Sequence, residues 1–155
     1  MHYKTYYDSP IGILGITGTE EGITDLHFVE KENKPDPVIP FPLKECVQQL
    51  NEYFAGDRKE FSIKLQLEGT NFQKKVWNQL MKIPYGKTVS YKDIAAAIKN
   101  EKAVRAVGSA NGRNNIAIII PCHRVIAHDG TLGGYGGGLW KKEWLLDHEK
   151  KYRGF

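Results

Sequence analysis

The chain has 155 residues, 41% of them hydrophobic, and a formal net charge of +4. That length can bury one good core or two small ones, and no apolar run approaches the ~18 residues of a membrane-spanning helix, which excludes an integral helical membrane protein. No signal-peptide pattern follows Met1, and two cysteines, Cys46 and Cys122, make no disulfide framework, so a cytoplasmic protein with reduced thiols is expected.

Residues 3–7, 11–17 and 23–28 are short β-rich runs parted by Ser9-Pro10 and by glycine-bounded turns, the punctuation of an antiparallel meander. Residues 30–42 contain Pro35, Pro37, Pro40 and Pro42 and read as an extended connection. Leu43, Cys46, Val47, Leu50, Tyr53 and Phe54 then fall at helical spacing, with Gly56 as a stop. Cys46 lies on that apolar stripe and reads as core. Phe61, Ile63, Leu65 and Leu67 alternate with polar residues and predict one more strand. A boundary there divides the chain into domains of residues 1–69 and 70–155.

In the second domain Phe72, Val76, Trp77 and Leu80 share a helical face until Ile83-Pro84-Tyr85-Gly86 interrupts it. Ser90 offers an N-cap with Asp93 three residues on, and Ile94, Ala95 and Ile98 continue the helical spacing. A second short segment, 103–110, gathers small side chains around Arg105, and the pair reads as a helix-turn-helix. A helix with so few long side chains suits minor-groove docking, with Arg105 reaching into the duplex, better than reading of major-groove base edges. The apolar run 116–120 predicts a strand that delivers Pro121-Cys122. Residues 131–138 form a glycine-rich loop, either a mobile connector or a loop that lets backbone approach a ligand, and it has neither the Walker nor the Rossmann pattern. Residues 141–151 predict a helix with Trp144, Leu145 and His148 on one side.

Charge is spread unevenly between the two halves. Residues 1–70 hold 7 Lys/Arg against 12 Asp/Glu, and residues 71–155 hold 15 against 6. An excess of one sign suits an anionic partner such as nucleic acid, although a solvated basic face produces the same excess. The basic half also carries Cys122, in the run Pro121-Cys122-His123-Arg124-Val125. A thiol beside an imidazole and a guanidinium reads as activated sulfur, and equally as a small buried hydrophobe.

Taken together, Pro121-Cys122-His123-Arg124-Val125, Arg105-Ala106-Val107-Gly108, Asn114 and the passage from Gly136-Gly137-Gly138 to Asp147-His148-Glu149 resemble the O6-alkylguanine-DNA alkyltransferase family. The resemblance is close from about Phe72 to Glu149 and extends to the N-terminal part in layout only. It implies an α+β fold, a small ribonuclease-H-like α/β domain followed by a mainly helical domain with a winged helix-turn-helix. It implies direct repair of O6-alkylguanine in double-stranded DNA, with O4-methylthymine a second candidate substrate, by irreversible transfer of the alkyl group to Cys122. By the same resemblance His123 activates Cys122 through a water, Glu149 orients His123, Asn114 fixes the segment around the thiol, and Tyr91 donates a proton toward N3 of the leaving base. Arg105 would fill the gap left by a rotated-out nucleotide, with Ala103, Ala106 and Gly108 allowing close docking in the minor groove. Val125, Tyr135, Gly136 and Gly137 would line the base pocket. Two departures stand out: Gly136 occupies a place where other members have serine, and the basic residue of Asn111-Gly112-Arg113-Asn114 is shifted by one position.

No cofactor and no metal is expected, since Cys46, His2 and His27 lack ligand spacing, and the protein is expected to act as a monomer away from membranes. Competing readings are an alkyltransferase-like or winged-helix protein that only binds DNA, and a Cys-His hydrolase. The hydrolase is disfavoured because neighbours on an extended segment point their side chains apart.

Overall fold

The computed structural model describes residues 1–30 and 38–154, which form two compact units, Met1–Glu68 and Gly69–Phe155. In the first, β1 (Tyr3–Ser9), β2 (Gly12–Thr19) and β3 (Gly22–Phe28) make an antiparallel sheet in the order β1-β2-β3, with a bulge between Thr17 and Gly18. The alternation of the strands buries Leu14, Ile16, Ile23 and Leu26. Helix α1 (Lys44–Phe54) follows a 3-10 turn at Phe41–Leu43 and contributes Cys46, Leu50 and Tyr53 to the core. Of the expected extended connection, Pro35 and Pro37 lie outside the described residues.

The strand expected at 61–67 reduces to a single parallel bridge, Leu65 with Ile23. Ile23 N donates to Lys64 O and Gln66 N to Ile23 O, but further back Ser62 N donates to the Gln49 side chain of α1. A helix side chain has thus taken a backbone donor that a ladder would need. Gly22 permits this approach. Its φ is +146, and a Cβ there would stand 2.9 Å from Lys64 O.

The second unit opens with α2 (Asn71–Leu80), capped by Thr70 and Gln73 in a reciprocal box, and α3 (Tyr91–Ala97) carries the expected Ser90–Asp93 box. With α4 (Val104–Gly112) they form a mutually packed cluster, in which Trp77 Nε1 donates to Ala110 O at 2.8 Å. A two-residue parallel pairing of β4 (Val89–Ser90) with β5 (Val125–Ile126) is too short to leave a periodic signal. The helix α5 (Leu139–Tyr152) closes the unit.

The strand expected at 116–120 is instead a buried turn. Ile120 N donates to Ile116 O at 3.0 Å and Ile119 N to Ala117 O, while Ile118 sits at φ +70. A β-branched residue in the left-handed region costs of order 1–3 kcal/mol. Burial of Ile116, Ile118 and Ile120 offsets it, each at most 1% exposed. An apolar run reports burial, not conformation, which is why the alternation-free segment is legible as core but not as a turn.

Candidate active site

One amide side chain clasps that turn. Asn114 Oδ1 accepts from Ile116 N at 2.9 Å, and its Nδ2 donates to Ile120 O at 2.8 Å, so both ends are tied at one point. Pro121 then leads into a turn of 3-10 helix, Cys122–Arg124, in which Cys122 N donates to Ile120 O and Asn111 Nδ2 donates to Cys122 O. The segment is therefore not extended as expected. Cys122 and His123 still share no hydrogen bond, because residues one apart on a tight helical turn also project in different directions.

Burial pushes the Cys122 thiol above its ordinary range, while a hydrogen bond with the Asn114 side chain and the Lys142 cation pull the other way without reversing it. At neutral pH the sulfur is thus held as thiol and needs a base. His123 is fully buried, and its Nε2 lies 2.6 Å from Glu149 Oε2. Burial, with help from Arg124 and Lys142, lowers the His123 pKa against the opposing pull of Glu149, so the ring is neutral at pH 7. Burial alone would raise the Glu149 carboxyl, but His123 and Arg124 hold it well below the usual carboxylate range. An ionised acceptor at Nε2 fixes the hydrogen there and leaves Nδ1 as the basic nitrogen. Nδ1 is buried with no partner among the described residues.

Arg124 completes the pair from the far side. Its Nε and Nη2 donate to the two oxygens of Glu149 at 2.8 and 3.0 Å, and its Nη1 donates to Ile83 O at 2.8 Å. Gly86 N donates to Glu149 Oε1, so the carboxylate is saturated by donors from three directions. Sequence reasoning treats Arg124 only as a flanking residue and misses this role.

Lys142 is missed as well. It is fully buried, and its Nζ donates to the carbonyls of Val125 at 2.6 Å, Leu132, and Gly134 at 3.2 Å. Burial depresses its pKa to about 8, partly countered by Cys122. The sequence does hold a signal: Lys142, Leu145 and Glu149 recur at i, i+3 and i+7, the inward stripe of α5. The expected face of Trp144, Leu145 and His148 captures only part of it.

Tyr91 is the first residue of α3, with Lys142 Nζ 5.9 Å from its ring centre. Burial and the Cys122 charge raise its pKa, and a backbone hydrogen bond from Gly134 opposes them. Gly133, not singled out from the sequence, is what lets the loop lie there: its φ is +73 and a Cβ would stand 2.8 Å from the Tyr91 hydroxyl. At Gly136 a Cβ would meet nothing within 4 Å, so a serine there would have room. Tyr135 is half-buried with its hydroxyl enclosed and unpartnered among the described residues, and burial first, then Cys122, raise its pKa. Val125 is buried on β5 and Gly137 half-buried in the loop.

Arg105 lies on α4 and is exposed. Ala106 beside it is exposed and Ala103 and Gly108 half-buried. A Cβ at Gly108 would make only an ordinary 3.9 Å contact with Tyr91, so nothing inside the unit requires glycine there. Among the described residues no helix is long and apolar enough to cross a membrane, and no group of three or more His, Cys, Asp or Glu is placed to hold a metal ion.

Two family models match the chain: the 6-O-methylguanine DNA methyltransferase ribonuclease-like domain over residues 2–67, and the DNA-binding domain of the same enzymes over residues 71–151. A methylated-DNA–protein-cysteine methyltransferase of Mycobacterium bovis is 49% identical over 97% of this chain and 93% of its own length. One from Methanosarcina acetivorans is 49% identical over 95% and 97%. The crystal structure of the Mycobacterium tuberculosis O6-methylguanine methyltransferase superposes with a TM-score of 0.88 at 46% identity, covering 98% of this chain and 94% of that one. A structure of Mycobacterium tuberculosis OGT in complex with DNA superposes with a TM-score of 0.87 at 48% identity, covering 95% and 92%.

Proposed function

The chain belongs to the 6-O-methylguanine DNA methyltransferase family, and from that premise we propose Cys122 as the sulfur that accepts the alkyl group. The protein is a methylated-DNA–protein-cysteine methyltransferase, which repairs DNA by moving a methyl group from a damaged base to a cysteine. Of its two free thiols, Cys46 is buried in the N-terminal core with its pKa pushed up to about 12 by burial alone. Cys122 has Asn114, Lys142 and the His123–Glu149–Arg124 chain around it, and this arrangement carries the assignment. The first unit then serves as scaffold and the second as DNA-binding and reactive domain.

In the proposed sequence His123 Nδ1 takes the thiol proton through one water, and the resulting imidazolium is stabilised by Glu149. The sulfur displaces guanine from the O6-alkyl carbon: the S–C bond forms, the C–O6 bond breaks, and its electron pair goes to the base. Tyr91 protonates the base as that charge develops and is itself reprotonated from His123, so guanine and S-alkylcysteine are the products. No group restores the thiol, so each protein acts once. The loop around Gly136 offers its backbone to O6, and O4-methylthymine presents a comparable alkoxy group.

Duplex DNA must first release the base from the stack, at a few kcal/mol. In this reading exposed Arg105, with the small residues Ala103, Ala106 and Gly108 around it, holds the gap open from the minor-groove side. The protein is read as a monomer in this encounter, in the cytoplasm, where its thiols stay reduced.

The deciding experiment is intact mass after incubation with an oligonucleotide containing O6-methylguanine. A gain of one methyl group, located on Cys122 and absent in Cys122→Ser, is the expected result, and a methyl found elsewhere or not at all overturns the assignment. For Arg105→Ala, repair of duplex substrate should fall by at least ~10-fold, because the unstacking energy is no longer offset, while reaction with free O6-benzylguanine base stays near wild type. Equal losses with both substrates would remove the gap-filling role.

A further inference from the structure

Helix α2 has a second face that the proposed chemistry leaves unused. Val76, Trp77 and Leu80 are buried in the helical cluster, while Lys74 and Lys75, with Lys82 just past the helix end, line an open trough of about 490 Å³ between α2 and the end of α3. Ile98 and Lys99 form its opposite side, and Asn78 and Gln79 supply amide groups along its length. No carboxylate lines it, in a chain with 18 Asp and Glu. Four ammonium groups around one trough repel one another unless an anion lies between them.

Lys99 adds a second observation. It follows the α3 C-cap at φ +59, the left-handed position where a helix commonly ends on glycine. A side chain there costs of order 1 kcal/mol, and the residue that bears this strain stands at the rim of the trough. The same turn runs on through Asn100 to Ala103, the N-cap of α4, so the trough and Arg105 are joined by one short connection. Within α2 the trough runs from Asn71 to Gln79, eight residues, roughly 12 Å along the helical axis. That length matches an extended strand better than a compact ion, since one strand of a duplex presents a phosphate about every 3.4 Å of axis.

We propose that this lysine trough is a second phosphate track, which holds the DNA backbone outside the lesion that Arg105 and Cys122 engage. The inference rests on the DNA-repair reading above. It assigns the trough to affinity and to scanning of undamaged duplex, not to chemistry, because none of its residues touches the site.

The test uses the whole protein and Lys75→Gln/Lys82→Gln/Lys99→Gln, all exposed positions. Binding to an undamaged 24-base-pair duplex is measured across salt concentrations, at protein levels where one molecule occupies each duplex. The slope of log K against log salt should become shallower by roughly 2 to 3, about 0.9 for each phosphate no longer neutralised, while benzyl transfer from free O6-benzylguanine to the protein is unchanged. Lys75→Gln and Lys99→Gln alone should each remove roughly 0.9, which keeps the test readable if the triple variant folds poorly. An unaltered slope overturns the proposal. So does an equal change in Lys4→Gln/Lys59→Gln/Lys64→Gln, which would mark a general charge effect. A change confined to multiple occupancy of one duplex would assign the trough to an acidic surface of a second copy and also overturn it. Failure of the wild-type protein to accept methyl groups, by contrast, would strike the DNA-repair reading and not the track.

Discussion

Glu149→Gln is expected to slow alkyl transfer on the order of 10²-fold and to lower the melting temperature by roughly 10 °C, from a loss of about 3–5 kcal/mol. Glutamine keeps the shape but not the charge. Arg124, which donates twice to the carboxylate, is left as a buried cation without its anion, and that imbalance sets the stability loss. The kinetic loss has a separate origin. Glu149 raises the proton affinity of His123 against burial, and without it the imidazolium that must form during thiol deprotonation is less stable. The two effects separate by temperature and pH. Rates with free O6-benzylguanine should be taken well below the variant's melting point. In the wild type the rate should hold steady from about pH 6.5 upward and fall below it as His123 takes a proton and ceases to act as base, with its midpoint under the ordinary 6.5 because the folded pKa is lowered. In Glu149→Gln that fall should shift to still lower pH while the plateau drops. An unchanged plateau would reduce Glu149 to a structural partner of Arg124.

The stability side of the same ion pair follows with its own sign. Glu149 titrates lower in the folded protein than in the unfolded chain, so its contribution is complete above the ordinary carboxylate pKa of 4.5 and is lost as pH falls through the depressed folded value. His123 acts in the same direction. Its folded pKa lies under 6.5, and acid favours the unfolded chain, where the ring can charge.

How far the sequence anticipates this site depends on what kind of signal each residue leaves. Ser90 and Asp93 announce the start of α3 because a capping box is a local interaction between residues three apart. The amphipathic stripes of α1 and α2 are equally legible, since one face of a helix recurs within two turns. The clasp of Asn114 on residues 116–120 is not, because an apolar run looks alike in a strand and in a buried turn, and only the amide contacts distinguish them. Arg124 and Lys142 escape for a different reason. Charged residues are presumed solvated, and both are buried here by partners 25 and 8 to 17 residues away. Cys122, His123 and Glu149 are singled out by resemblance. Physical reading of the sequence alone leaves Cys122 undecided between core and nucleophile, and Glu149 as a solvated residue near a helix end.

Lys142→Met should loosen the loop that carries Gly133 to Gly137 and reduce transfer from DNA by roughly 10- to 100-fold, a size typical for residues that orient reacting groups without touching them. Methionine fills a similar volume, but the carbonyls of Val125, Leu132 and Gly134 lose the ammonium that gathers them. Gly134 is also the residue whose backbone meets Tyr91, so the phenol would lose its fixed position and the pocket its wall. The variant simultaneously removes a cation that lowers the Cys122 pKa, so thiolate becomes harder to form. Stability gives the discriminating readout. Lys142 releases its proton near pH 8 in the folded protein and near 10.5 when unfolded. Between those values the unfolded chain binds the extra proton, and the contribution of this site to stability rises with pH. Cys122 and Tyr91, whose folded pKa values are raised, pull stability the other way as they titrate. The quantity to follow is therefore the difference between wild type and Lys142→Met in denaturant unfolding at pH 7.5 and 9.5. The wild type should gain on the variant over that interval, whereas a constant difference would mean that the buried amine titrates alike in the folded and the unfolded chain.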